Sequence, residues 1–201
     1  MLEGNLLLPA NAAGVVLFAH GSGSSRFSSR NRYVAEQLRE EGLGTLLIDL
    51  LTAEEEQIDM RTAHLRFDIE LLADRLIGAI EWLEQEKGTR SMKVGLFGAS
   101  TGGGAALVAA ARRPDRVAAV VSRGGRPDLA GPSLPRVQAP TLLIVGGDDT
   151  PVIAMNRDAY RQMECVRRLE IVPGATHLFE EPGALEQVAT LAGAWFTEHL
   201  R

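Results

Sequence analysis

Lys93–Arg112 reads KVGLFGASTGGGAALVAAAR, and this stretch decides the architecture. Its first part, Lys93–Phe97, is an apolar strand candidate. Its last part, Thr101–Arg112, is a run of small and apolar residues of helical length. The small residues from Gly102 to Ala111 predict a closely packed helix face rather than a linker. Between strand and helix, Gly98-Ala99-Ser100-Thr101-Gly102 fits the G-x-S-x-G elbow. At such a turn the serine takes a strained backbone, and side chains two positions to either side would collide. The helix then points its free N–H groups and partial positive charge at the serine. The bland alternative is a tight turn in which Ser100 only caps the helix.

Outward from the elbow, short apolar runs alternate with helical patterns. The strand candidates are Asn5–Pro9, Val15–Ala19, Thr45–Asp49, Lys93–Phe97, Val117–Val121, Thr141–Val145 and Arg168–Val172. Most are continuous apolar runs, as strands covered on both faces should be. Helices are predicted near Arg30–Glu41, Leu65–Glu86, Thr101–Arg112, Ile153–Met163 and Leu185–Leu200; Leu72, Leu76, Ile80 and Leu83 recur at helical spacing. The alternation predicts one α/β domain over residues 1–201, with a mostly parallel sheet of about seven strands and helices on both faces. Gly124–Pro140 is read as a loop within it.

Composition narrows the function classes. The 201 residues are 45% hydrophobic and 23% charged, near globular averages. With 21 Lys and Arg against 26 Asp and Glu, the net charge is −5, which argues against nucleic acid or an anionic membrane as the main partner. No apolar run approaches the ~20 residues of a membrane-spanning helix. Met1–Ala10 has no basic region before its apolar run, so no secretory signal is expected. The single cysteine, Cys165, rules out an internal disulfide and fits a cytoplasmic location.

Ligands of parallel sheets bind beyond the carboxyl ends of the strands. There stand His20-Gly21-Ser22-Gly23, Asp49, the Ser100 elbow, Arg123-Gly124-Gly125, Gly146-Gly147-Asp148-Asp149 and Gly174-Ala175-Thr176-His177. A serine hydroxyl is a weak nucleophile without an adjacent base. Of the four histidines, His199 is expected to be exposed near the end of the last helix. His64 lies in a charged stretch, His20 is a strand-end residue of structural type, and His177 sits in a loop after the last strand. Asp148 and Asp149 compete as the acid, and a turn made by both is the bland alternative. Acyl chemistry also needs donors for an oxyanion. Thr101 N–H supplies one and Ser22 N–H is chosen as the second, with Gly21 and Gly23 as alternatives. The Gly-Ser loop also resembles an anion nest, but it lacks the lysine of a phosphate loop.

Taken together, His20-Gly21, the Ser100 elbow, the aspartates after the sixth strand and His177 resemble the α/β-hydrolase fold across nearly the whole chain. Gly21–Ser25, Ser29-Arg30-Asn31, Thr45-Leu46-Leu47 and Gly174–Phe179 resemble small dienelactone-hydrolase-like esterases in particular. The order nucleophile, acid, histidine in that fold selects His177 as base. The spacing Gly146-x-x-Asp149-x-x-Val152 resembles the family's acid loop and selects Asp149. The resemblance implies hydrolysis of small ester or lactone substrates through an acyl-enzyme, with no cofactor or metal, by a monomer or homodimer. Two departures matter. Dienelactone hydrolases proper carry cysteine at the elbow, where this chain has Ser100. Only Ser122–Pro140 separates the fifth and sixth strands, too short for a helical cap. Gly21, Arg30 and Arg123 are candidate substrate contacts, because a guanidinium clamps a carboxylate bidentately. Surface ion pairing is the plainer reading of Arg26, Arg30, Arg123 and Arg126.

Overall fold

The computed structural model describes residues 2–201. Seven strands form one sheet in the order β1-β3-β2-β4-β5-β6-β7. They are β1 (Gly4–Leu7), β2 (Gly14–Ala19), β3 (Gly44–Ile48), β4 (Lys93–Ala99), β5 (Val117–Arg123), β6 (Thr141–Gly146) and β7 (Arg167–Val172). All neighbouring pairs are parallel except β1 with β3, where Gly4 faces Ile48 and Leu7 faces Thr45. Six helices connect them: α1 (Ser29–Glu40), α2 (Ala53–Thr62), α3 (Ile69–Gln85), α4 (Thr101–Arg112), α5 (Thr150–Gln162) and α6 (Ala184–Leu200).

Alternation along the strands sorts the core into two layers. Val15, Leu17 and Ala19 of β2 face a cluster with Leu72, Leu76 and Ile80 of α3 and the alanines of α4. Val16 and Phe18 face the other side, with Val34 and Leu38 of α1 and Val188 and Phe196 of α6. Phe18 stacks on Phe97 at 4.9 Å between ring centroids. Each such side chain contributes roughly 1.5–3 kcal/mol by leaving water. The central strands are buried throughout, as the continuous apolar runs predict. The edge strand β1 is largely exposed and β7 is mostly half-buried, so two-sided burial fails at the edges.

Three expectations need correction. The helix predicted over Leu65–Glu86 starts only at Ile69. Leu65–Phe67 is a separate 3-10 turn, and Asp68 caps α3 by accepting from Leu71 N at 3.0 Å. Helix α2 was not predicted, because it has almost no apolar face and buries only Asp59. Its signal is the reciprocal capping box of Thr52 and Glu55, with bonds of 3.2 and 2.8 Å. The connection Gly124–Pro140 contains 3-10 turns over Pro127–Arg136, kinked at Gly131, and no cap. Among the described residues no helix is long and apolar enough to cross a membrane.

Candidate active site

Ser100 stands between β4 and α4 with φ 51° and ψ −121°, a positive-φ backbone that L-residues rarely adopt. Close approach demands the flanking glycines. A Cβ on Gly98 would stand 2.4 Å from Gly102 O, and one on Gly102 would stand 2.3 Å from Ala19 O. Ser100 N donates to Arg123 O at 3.3 Å, and its carbonyl accepts from Gly103 N and Arg126 N, both at 3.0 Å. The Ser100 side chain caps nothing. The plain helix-cap reading therefore fails, and the hydroxyl has no hydrogen-bond partner among the described residues.

His177 follows β7. Its Nδ1 donates to Asp149 Oδ2 at 2.6 Å, with the His177 side chain 39% and that of Asp149 12% exposed. Asp149 occupies the N-cap position of α5 without capping it, because its carboxylate is turned to the imidazole. Asp148 is exposed, and only its backbone is engaged, donating to Ala175 O at 3.0 Å. The His177 ring lies over the end of β5: a Cβ on Gly124 would be 3.5 Å from His177 Nδ1. That places the imidazole beside the residue whose neighbour, Arg123, binds the Ser100 amide. No hydrogen bond joins Ser100 Oγ to His177 among the described residues. Such bonds are often long before substrate arrives and tighten with it.

The loop carrying His177 is stapled in ways the sequence did not disclose. Thr176 Oγ1 donates to Glu181 Oε1 at 2.6 Å and Thr176 N to Glu181 Oε2 at 3.1 Å. The Thr176 bonds hold the Glu181 carboxyl below the usual carboxylate range. Arg30 of α1 pairs with Glu180 at 2.9 Å. Phe179 is buried at φ 55°.

Neither Thr101 N nor Ser22 N donates to another group among the described residues, and the same holds for Gly21 and Gly23. Gly21 packs against the elbow, since a Cβ there would stand 3.1 Å from Ser100 Cβ. His20 anchors this loop. Its Nδ1 donates to Gly21 O at 2.9 Å and its Nε2 accepts from Leu50 N at 3.1 Å, the pattern of a neutral ring. Burial lowers its pKa, which keeps it so. A cavity of about 420 Å³ opens beside the loop, reaching from Gly21, Ser22 and Thr101 to Asp49 and Met60. Helix α2, the element the sequence hid, forms its outer wall.

The other histidines and the arginines separate clearly. His64 is exposed and bonds Thr62 Oγ1 at 2.8 Å. His199 is half-buried rather than exposed, edge-on to Trp195 at 4.6 Å. Arg26, Arg30 and Arg126 form ion pairs, with Asp49 and Glu3, with Glu180, and with Asp128. Arg123 does not. It is 7% exposed, lies 6.0 Å over the Phe179 ring, donates to Asn31 Oδ1 at 3.3 Å, and among the described residues has Nε and Nη1 without partners. Burial and the neighbouring Arg30 charge push its pKa down to about 10. Neither Arg30 nor Arg123 lines the cavity. Cys165 lies beyond α5 rather than in a helix, with Sγ 3.9 Å from Thr141 Oγ1 at the start of β6, the edge of the sheet opposite the elbow. Among the described residues no three His, Cys, Asp or Glu side chains group to hold a metal ion.

Comparison with known proteins agrees with this fold. The model of the dienelactone hydrolase family matches residues 2–196. A crystal structure of dienelactone hydrolase from Anabaena variabilis ATCC 29413 is 68% identical, with TM-score 0.98, over 100% of this chain and 93% of that one. Est1E from Butyrivibrio proteoclasticus, solved with ferulic acid, shares the fold at 17% identity and TM-score 0.82, covering 98% of this chain and 95% of its own. Two Mycobacterium tuberculosis proteins, provisionally named phosphoribosyl transferases, are 60% identical over 199 residues. That is 99% of this chain but 44% of theirs, so the chain spans less than half the length of these relatives. The chain belongs to the dienelactone hydrolase family, hydrolases built on the α/β-hydrolase fold.

Proposed function

We propose that this chain is a serine hydrolase that cleaves carboxylic esters or lactones through an acyl-enzyme. The observation that carries the reading is the 2.6 Å bond from His177 Nδ1 to Asp149, on loops beside a serine whose hydroxyl caps nothing. Ser100 Oγ attacks the carbonyl carbon as His177 Nε2 takes the hydroxyl proton. Asp149 holds the imidazole tautomer and stabilises the cation without itself being protonated. The amides of Thr101 and Ser22 hold the oxyanion, helped by the N-terminus of α4. The tetrahedral adduct collapses, the C–O bond to the alcohol breaks, and His177 returns its proton to the leaving oxygen. Water then attacks the acyl-enzyme with His177 again as base, releasing the acid and restoring Ser100.

Serine in place of the family's cysteine changes the nucleophile, not the layout. Cys165 cannot stand in for it from the opposite edge of the sheet. Thioesters would enter the same cycle. The transferase name of the Mycobacterium tuberculosis relatives describes proteins more than twice as long, and no residue of the Ser100 site requires it. The test is a panel of 4-nitrophenyl esters of increasing acyl length with a Ser100→Ala control. The wild type should turn over the short esters, and the variant should lose about 10⁶-fold in kcat, as other triads do. A variant that keeps most of the activity refutes the assignment.

A further inference from the structure

We infer that Glu56 makes the cavity beside Ser100 selective for esters whose remote group is a cation, and selective against carboxylate-bearing ones. The inference rests on the ester-hydrolase reading and names the substrate class it would take.

The cavity is large enough for one small molecule, about 420 Å³, and its lining reaches the residue after the nucleophile, Thr101, and the facing loop at Gly21, but includes neither Ser100 nor His177. A substrate whose carbonyl lies at Ser100, next to Thr101, can reach the cavity with one of its two arms. The charges around that arm are unequal in availability. Asp49 accepts from Arg26 N at 2.7 Å and pairs with the Arg26 guanidinium. Asp59, nearly fully buried, accepts from Leu65 N at 2.8 Å, Arg66 N at 3.2 Å and Arg66 Nε at 2.5 Å. Each of these carboxylates is matched by a guanidinium, and neither pair presents net charge to a ligand. His20 uses both ring nitrogens in neutral bonds.

Glu56 is different. It lines the cavity from α2, its side chain is exposed, and its carboxylate has neither an ion pair nor a hydrogen bond among the described residues. Among the described residues it is the one charge on the cavity wall without a partner of opposite sign. The cation that lines the cavity, Arg66, is already paired with Asp59, Arg30 is held by Glu180, and Arg123 is buried away from the lining. Met60 and Leu50 supply apolar surface on the same walls, suited to the alkyl part of an ammonium group. A carboxylate on the substrate would meet the Glu56 charge, while the guanidinium on the same wall, Arg66, is already bound to Asp59, which is discrimination by repulsion.

The experiment uses the whole chain and two isosteric series. The alcohol series is acetylcholine, 3,3-dimethylbutyl acetate and 2-carboxyethyl acetate. The acyl series is the 4-nitrophenyl esters of 4-trimethylammoniobutyrate, 5,5-dimethylhexanoate and glutarate. In the series whose arm enters the cavity, kcat/KM should fall from cation to neutral to carboxylate by roughly three- to ten-fold per step. The spread should narrow in 0.5 M salt. Glu56→Gln should bring the cation-to-carboxylate ratio to within about two-fold, and Glu56→Lys should invert it. Glu54→Gln, exposed on the same helix but off the lining, should keep the wild-type ratio. A carboxylate preference in both series, or a ratio unmoved by Glu56→Gln, overturns this inference alone, provided the neutral esters are hydrolysed in a Ser100-dependent way. Hydrolysis of none of these esters overturns the ester reading and this inference with it.

Discussion

Replacing Gly102 by alanine adds one methyl at the tightest contact of the elbow. The added Cβ would stand 2.3 Å from Ala19 O and 2.6 Å from His20 O. Both obstacles are backbone, and Ala19 is held in register opposite Gly98 in the sheet, so no side chain can swing aside. Relief requires the end of β2 and the start of α4 to separate by about 1 Å before ordinary contact is restored. Overpacking of this kind destabilises by about 1–3 kcal/mol, or roughly 3–10 °C in Tm for a chain of this length. The same displacement parts the Thr101 amide from the Ser22 loop. A misplacement near 1 Å is enough for about a hundred-fold loss in kcat. Urea unfolding gives the first quantity and 4-nitrophenyl acetate kinetics the second. Gly78→Ala is the control, in α3 with nothing within 4 Å of the added Cβ, and it should stabilise by about 0.5–1 kcal/mol with unchanged kinetics. A Gly102→Ala protein with wild-type Tm and wild-type kcat would refute the packing argument.

Asp149→Asn should preserve the fold and lower kcat about 10⁴-fold, because an amide favours the wrong imidazole tautomer; circular dichroism beside kinetics checks both halves. Glu181 has a depressed pKa in the folded protein, so its staple on Thr176 is intact above the ordinary glutamate pKa and is lost as pH falls through the folded value. The protection of residues 174–181 against hydrogen exchange, relative to the unstructured rate at each pH, should therefore fall only below about pH 4.3, and Thr176→Val should shift that onset upward. Arg123→Met removes a buried guanidinium with two unpartnered nitrogens, and urea unfolding should show stability unchanged or raised by about 1 kcal/mol. Arg123→Lys keeps the charge and loses the Asn31 bond, so it should destabilise by about 1–2 kcal/mol.

The parallel core was legible because buried strands have to be apolar on both faces, and β2 to β6 are. The elbow was legible for a similar reason: Gly98, Ser100 and Gly102 are local in sequence, and their crowding is a local fact. Helix α2 was hidden because its stability comes from caps and an arginine pair, Arg66 to Asp59, rather than from an apolar stripe. The cavity it walls was hidden with it. The environment of Arg123 depends on Asn31 and Phe179, which are distant in sequence, so a strand-end arginine could not be told from a surface one. Choosing Asp149 over Asp148 needed family spacing, since both suit a turn and only the fold shows which carboxylate turns to His177.

The central claim is that Ser100 is the group that bonds covalently to the substrate carbonyl. The most direct measurement is intact-protein and peptide mass spectrometry after treatment with a fluorophosphonate. The account predicts one adduct per chain, mapped to the peptide carrying Ser100, forming far more slowly in His177→Ala. A folded wild-type protein that stays unlabelled, or that carries the adduct on another serine such as Ser22, would contradict it.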